Sequence, residues 1–550
     1  MVSFATRDSS ASSALADGGE SALPRVLWLA LPAVAVFLVS LLLDVRTLLP
    51  DVALWDTGEF QTIGPVLGIA HPTGYPTYTL LAWFASVVLQ PFGNEAYRAN
   101  LLSAILISGA AALTSVLIVQ LTRRPLLGLA AGLALAVTPL AWRVALQADP
   151  HPLHLFFAAL LLVLLVGWMQ RCMSGAPRSG RWLVAASIVF GLSLGNHALT
   201  LLLAPGIGVF VVLVSPSILR RRWRLALGCL AALVVTTVVV YAYIPIRAAM
   251  NPPLDYAIPT TWDRFRYLVL GEQFRGTFHQ LPSLSGGAAI VWKELQANLG
   301  AAAWLSLAGV VLGSLRHWRV IVLTGLWFVL TFVFALGYEN ADIERYYLVP
   351  LFLAVVWAAL AIDAIWTGIL LPWRRVAEEP PAFEPGTAGR SLGRVALALA
   401  AVILVVPILV PIPARLSDVD VSDDHAARTW MEATLAALPP NAVLISWWSY
   451  STALWYGHFV EGLRPDVKII DDRTILDDGY GTVQNAIDTF LGKRPVYLIR
   501  ISYDLPQFEA RYNLQLVRGL PRLTDVYQVL PAGSASRSRV RSRGAREPRP

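Results

Sequence analysis

The stretch VLWLALPAVAVFLVSLLLDVRTLLPDVALWDTGEFQTIGPVLGIAHPTGYPTY, Val26 to Tyr78, decides the fold. Val26 to Leu43 contain no charged residue and are long enough to cross a hydrocarbon core of about 30 Å as a helix. No small-residue cleavage motif follows, so the run reads as a retained signal anchor behind a polar, disordered cytoplasmic N-terminus, residues 1–24. Directly after it, Asp51 to Tyr78 crowd Asp56, Glu59 and His71 among glycines, prolines and tyrosines.

Working outward, the 550 residues are 56% hydrophobic and 14% charged. Their mean hydropathy of +0.59 excludes a soluble globular chain and places this one among multispanning membrane proteins. Cys172 and Cys229 lie in or beside apolar runs and imply no disulfide framework. The net charge of +7 comes from arginines scattered through short loops, which membrane topology explains without a nucleic-acid partner. Lysine occurs only at 293, 468 and 493, a composition expected of a GC-rich bacterial genome.

Apolar runs near 26–43, 100–121, 126–142, 152–170, 182–198, 200–214, 225–244, 298–315, 320–337, 347–371 and 395–412 predict about eleven spans. Arginines at 123–124, 171–181, 220–224, 316–319 and 374–394 fall in alternate loops, which sets the N-terminus inside the plasma membrane. Residues 44–99, 143–150, 245–299 and 338–346 then lie outside, and so does everything after Ala414. There LPPNAVLISWW, DVKIID and RPVYLIR read as short strands with STALWYGHFVEG helical between them. The fold class is therefore mainly α, a polytopic membrane protein with a small extracytoplasmic α/β domain over 414–531 and a disordered basic tail over 532–550.

The acids and histidines gather in the outer loops. Asp56 and Glu59 share a helix face and sit where a base could meet a lipid-borne substrate, but D-x-x-E also reads as a capping box. HPTGYP fixes an irregular turn in which His71, Tyr75 and Tyr78 either pack or line a sugar or phosphate pocket. LQADPHPLH offers Asp149 with His151 and His154, metal-like in spacing, yet Asp-Pro-His-Pro is ordinary chemistry for a helix start. No metal site is assigned, and a divalent ion stays open. Asn196 and His197 interrupt an apolar stretch, where polar groups are functional or paired. Arg247 and Arg345 stand at outer ends of spans, placed either to snorkel or to hold a phosphate by a planar fork. Thr260 to Asp263 read as a capping box, and DDRTILDDGYG, lacking the glutamate of a calcium hand, as a solvated turn.

DTGEF, GIAHPTGYPTY, YRANLLSA, LQADPHPLH, GNHALTLLLAP, YIPIRAAMNPPLDYAIPTTWDRF, IERYYLVP, and LISWWSYSTALWY with EGLRPDV follow one another from about Leu43 to Val467. In order and approximate spacing they resemble a membrane family long labelled a domain of unknown function. That family is grouped with the GT-C glycosyltransferases, and its animal members include a protein O-mannosyltransferase. The resemblance implies a GT-C-like transmembrane domain over 25–413, an acidic motif in the first outer loop (44–99), a polyprenyl-phosphate sugar as donor, and inversion at the anomeric carbon. The acidic motif falls on Asp56 and Glu59; a second-loop acid falls on Asp149, where this chain reads Asp-Pro-His against the commoner Glu-Val-Tyr.

On this reading Asp56 is the base and Glu59 holds sugar or acceptor hydroxyls. Arg345 and Arg247 stabilise the leaving phosphate, with His71, Tyr75, Asp149 and His197 lining the donor site. The partners are a membrane lipid donor and an acceptor protein or glycan, mannose is the family default, and no cofactor is implied. The alternative is a transporter or flippase of lipid-linked sugars, which calls for ionisable groups at mid-membrane depth.

Overall fold

The computed structural model describes residues 22–340, 342–377, 406–475 and 477–533, with the backbone course alone for 22–29 and 369–377. Helices dominate up to residue 377: α1 (Ala22–Thr47), α2 (Trp55–Val66), α3 (Pro76–Val88), α4 (Glu95–Thr122), α5 (Pro125–Ala136), α6 (Pro139–Ala145), α7 (His151–Met173), α8 (Gly180–Leu194) and α9 (Ala204–Val214) are followed by long helices at Trp223–Tyr241, Ala302–Gly337 and Leu348–Ala377. The chain is a multi-pass membrane protein.

Six described helices are long and apolar enough to cross a membrane, or seven if α5 and α6 form one span, where about eleven were expected. The described apolar runs fall on helices, though not each on one straight span. The run 126–142 breaks into α5 and α6, bent by 67°. Pro139 is the cause, since it disfavours helical backbone at the residue before it, and Thr138 is extended at φ −65°, ψ 141°. Runs 298–315 and 320–337 join in Ala302–Gly337 across a kink at His317. α8 and the segment Ala198–Val214 fall short of a full span, and most of the expected run 395–412 lies outside the described residues.

After the membrane region a five-stranded sheet runs in the order β2-β1-β3-β5-β4. β1 (Val443–Ser446), β2 (Lys468–Asp471) and β3 (Val496–Ile499) are parallel, while β5 (Val526–Pro531) pairs antiparallel with both β3 and β4 (Tyr512–Leu516). The three parallel strands are those the sequence predicts; β4 and β5 were not. β1 and β3 are buried along their whole length, as parallel strands covered on both faces must be. The helix Trp448–Trp455 leaves β1 directly and packs on α2.

That packing is close. A Cβ on Gly58, in the DTGEF motif, would lie 2.5 Å from the Ala53 carbonyl oxygen and 2.8 Å from Thr452 Oγ1. Trp447 meets Trp55 edge to face at 5.7 Å, and the Ala96 N–H donates to the Tyr456 hydroxyl at 3.1 Å. Within the membrane region, Gln61 and Asn100 fasten the loop that starts α2. Gln61 Oε1 accepts from Ala53 N–H at 2.8 Å, its Nε2 donates to Asn100 Oδ1 at 2.9 Å, and that same oxygen accepts from Ala148 N–H at 2.8 Å. One amide pair thus sets Asp56 and Asp149 relative to each other. Gly58→Ala forces α2 and the helix Trp448–Trp455 apart and is expected to cost about 1–3 kcal/mol. A lowered thermal midpoint with faster proteolysis after residue 420 is the expected readout; an unchanged melt would show that the contact is loose.

Candidate active site

Asp56 is the second residue of α2, and the helix start has no side-chain cap, so the capping-box reading of Asp56 and Glu59 does not hold. Asp56 Oδ1 accepts from the Trp448 indole N–H at 2.9 Å, and Oδ2 lies 3.8 Å from Arg345 Nη2. Its side chain keeps 28% exposure. Burial works to raise its pKa, but His71, Arg345, the Trp448 N–H and Arg473 outweigh it and hold the carboxyl below its usual range.

Glu59 turns the other way and is wholly buried. Oε1 accepts from the His71 backbone N–H at 2.8 Å and Oε2 pairs with His71 Nδ1. It was expected to hold sugar or acceptor hydroxyls; with both oxygens on His71, it orients that ring instead. Burial alone would lower the imidazole pKa, yet Glu59 and Asp56 raise it. His71 Nε2 faces the Tyr75 hydroxyl at 3.4 Å. The turn that brings them together needs Gly74 at φ +85°, where a side chain would also meet Ile244 at 2.9 Å. Burial pushes the Tyr75 hydroxyl well up, so it stays protonated.

Asp149, also wholly buried, accepts at Oδ1 from both the backbone N–H and Nδ1 of His151, each at 2.7 Å, and at Oδ2 from Arg345 Nη1. Burial opposes ionisation, but Arg345 and His151 hold the carboxyl far below the ordinary range. Arg345 Nη2 pairs in addition with Asp342. His197 accepts from Leu199 N–H at 3.1 Å as a helix cap, and its ring packs 4.7 Å from His151 and 5.7 Å from Tyr75. Burial, then His151 and His154, keep it neutral. His151 Nε2 is buried with no hydrogen-bond partner among the described residues.

Asp56, Glu59, His71, Tyr75, Asp149, His197 and Arg345 therefore form one cluster. Arg247 does not join it. Its Nε and Nη2 donate to the Leu67 and Val66 carbonyls at 2.7 and 3.1 Å, closing the far end of α2, about 15 Å along the helix from Asp56. The expected cap at Thr260 falls instead on Thr261, whose side chain accepts from Arg264 N–H.

Trp448, Arg473 and Tyr256 belong to the site and were missed. Tyr256 packs 6.0 Å from Trp448, and the Arg473 guanidinium lies 4.4 Å from the Trp448 ring centroid. The start of DDRTILDDGYG is not solvated, although Asp478 and Gly479 are exposed as expected of a turn. Asp471 is buried and pushed up to about 7 by burial and by Asp472; Asp472 accepts from Trp448 N–H at 3.2 Å and from Arg500 at 2.7 Å. The signal was present in the sequence: WW and DDR directly follow predicted strands, and the carboxyl ends of parallel strands are where open α/β sheets bind ligands.

Residues 56–218 match the family described as the protein O-mannosyl-transferase TMEM260 N-terminal domain. Protein O-mannosyl-transferase TMEM260 of Mus musculus is 26% identical over 471 residues, covering 82% of this chain and 63% of the mouse protein. The Dictyostelium discoideum protein of the same name is 22% identical over 535 residues, covering 84% of this chain and 63% of its own length. The chain thus spans less than two thirds of these relatives. Both are eukaryotic and give no support to the bacterial source that the lysine scarcity suggested. Among solved structures, ArnT from Cupriavidus metallidurans, crystallised bound to undecaprenyl phosphate and in the apo state, aligns at TM-score 0.51 with 17% identity over 92% of this chain and 98% of that one. The likeness establishes a shared fold.

The raised His71 pKa carries a stability consequence. The Glu59–His71 pair contributes in full below the ordinary imidazole value of 6.5 and loses its contribution as pH rises through the higher folded-state value. The midpoint difference between the parent and His71→Asn is expected to be largest in mild acid and to shrink in alkali. A difference independent of pH would show that His71 folds neutral.

Proposed function

We propose that this chain, a GT-C-fold relative of the TMEM260 protein O-mannosyl-transferases, is an inverting glycosyltransferase. It moves a sugar, mannose by default, from a polyprenyl-phosphate donor to a hydroxyl acceptor such as protein Ser/Thr at the outer face of the membrane. The observation that carries this reading is the contrast among four carboxylates. Glu59 is taken up by His71 and Asp149 by His151 and Arg345, both wholly buried; Asp342 is as exposed as Asp56 but is clasped at Oδ2 by Arg345, while Asp56 has that cation only at 3.8 Å and one neutral donor on Oδ1. The ArnT structure that shares this fold has undecaprenyl phosphate bound. The alternation of arginine-bearing loops supports an outer location with the N-terminus inside.

Asp56 is ionised at neutral pH and accepts the acceptor proton as the anomeric carbon gains oxocarbenium character. A carboxylate held this low is a weak base in the free protein. When an anionic donor enters the same field it competes for the cations around Asp56, so the basicity of Asp56 rises as the donor binds. Arg345 fixes Asp56 and Asp149 in register, and His71 and Tyr75 offer Nε2 and a hydroxyl to the sugar.

The test is transfer from radiolabelled polyprenyl-phosphate mannose by the purified protein beside Asp56→Asn. The variant should bind donor and lose about 10²–10⁴-fold in transfer. A parent that binds donor yet forms no product with water, peptide or glycan would favour a transporter. The pH profile supplies a second check. Because kcat/KM reports the free enzyme, its acid limb should lie below the ordinary aspartate value of 3.8, and that of kcat above it. An acid limb of kcat/KM near pH 6 would remove Asp56 as the base.

A further inference from the structure

We infer that Arg473, presented by the C-terminal sheet, holds the phosphate of the lipid-linked donor. The inference rests on the donor-dependent reading above and moves the phosphate site away from the arginines that the sequence suggested.

The other nearby cations are already committed. Arg345 is ringed by Asp149, Asp342 and Asp56. Arg247 closes the end of α2 through two carbonyls. Arg500 pairs with Asp472, and Arg264 donates to the Ala257 carbonyl at 3.1 Å. Arg473 differs. Its backbone N–H donates to Asp471 Oδ1 at 2.9 Å, but among the described residues its guanidinium has no carboxylate at ion-pair distance and no hydrogen bond. It lies over the face of Trp448, 4.4 Å from the ring centroid, and is open to solvent.

Its position is fixed. Trp448 follows β1 and Arg473 follows β2, adjacent parallel strands, and β1 is also where the strand order turns back toward β3. This is the edge at which open α/β sheets receive ligands. The turn beneath Arg473 is anchored by buried Asp471 and by Asp472, which accepts from both Trp448 N–H and Arg500. The Nε1–H of the same indole donates to Asp56 at 2.9 Å. One tryptophan therefore sets a free guanidinium beside the base, and the charge of Arg473 is felt by Asp56, His71 and Tyr256.

The chemistry suits the pairing. In the donor the phosphodiester carries one negative charge. As the bond from C1 to the phosphate oxygen breaks, its electron pair stays on phosphate; C1 bonds to the acceptor oxygen, and the acceptor proton passes to Asp56. The leaving phosphate gains charge through the transition state, so a guanidinium fork on it strengthens as the reaction proceeds and acts on kcat as well as on binding. A stacked arginine that served packing alone would affect neither.

The experiment uses the full chain in nanodiscs with undecaprenyl phosphate and neutral undecaprenol as paired probes, for the parent, Arg473→Gln and Arg473→Lys. The parent should prefer the phosphate. Arg473→Gln should lose about 10–100-fold in affinity for the phosphate, the range for a hydrogen bond to a charged group, with undecaprenol binding and the thermal melt unchanged. Arg473→Lys should recover part of the loss, because an ammonium cannot fork. With polyprenyl-phosphate mannose, KM for donor should rise and kcat fall together in Arg473→Gln. An Arg473→Gln protein that retains the parent's preference for phosphate overturns the assignment and leaves the donor reading standing. A parent with no such preference overturns both.

Discussion

A guanidinium with three carboxylates around it organises this protein. Arg345 enters from the short turn before the helix Leu348–Ala377, Asp56 from the start of α2, Asp149 from the segment ahead of α7, and Asp342 from the loop just before the arginine. Arg345, Asp56 and Asp149 come from segments far apart in sequence, and the guanidinium joins their polar ends where the apolar core stops. A buried charge is expensive unless its partners are complete, and removing one partner of such a pair typically costs about 3–5 kcal/mol. The ends of the membrane helices on this side are therefore tied to one another by electrostatics as well. The intramembrane packing between α4, α7 and the long helices fixes everything below.

The C-terminal sheet docks on that frame with the carboxyl edge of its parallel strands. Had it docked by another face, Asp56 would lack the Trp448 N–H that fixes its orientation. Gly58 permits the contact by having no side chain, and the edge-to-face pair of Trp55 and Trp447 seals it. The path Arg500–Asp472–Trp448–Asp56 runs from the turns that follow β3 and β2, through the Trp448 backbone N–H and its indole, to the candidate base. The ionisation of Asp56 is for that reason a property of two parts of the chain.

Much of this was legible in the sequence. The apolar runs, the strands VLIS, KIID and VYLI, and the grouping of Asp56, His71, Asp149, His197 and Arg345 in one region follow from composition, spacing and the order of motifs. What failed was local. Glu59 looked equivalent to Asp56 because i and i+3 share a helix face, but the first turn of α2 and the HPTGYP turn cross so that Glu59 meets His71. Arg247 looked equivalent to Arg345 because both end spans; only the path of α2 decides that the former finds carbonyls. DDR looked solvated because a polar run has no periodicity to show that its first aspartate points into the sheet. Each miss concerns a pairing across the fold, which spacing along the chain does not encode.

The cluster also shows how roles separate among chemically identical groups. Asp56 and Asp149 share Arg345, and both are driven below the usual carboxylate range. Asp149 is enclosed, and its acceptor positions are filled by His151 and Arg345, so its negative charge is fixed and its lone pairs are unavailable. Asp56 has the same cation at a longer distance and one indole donor, which leaves lone pairs facing solvent. Environment, not residue type, separates acid–base from structural carboxylates. Proton transfer needs an accessible oxygen whose basicity can rise when the local charge changes, and of the carboxylates bound to Arg345 only Asp56 combines that access with a cation loose enough, at 3.8 Å, to be drawn away by an incoming anion.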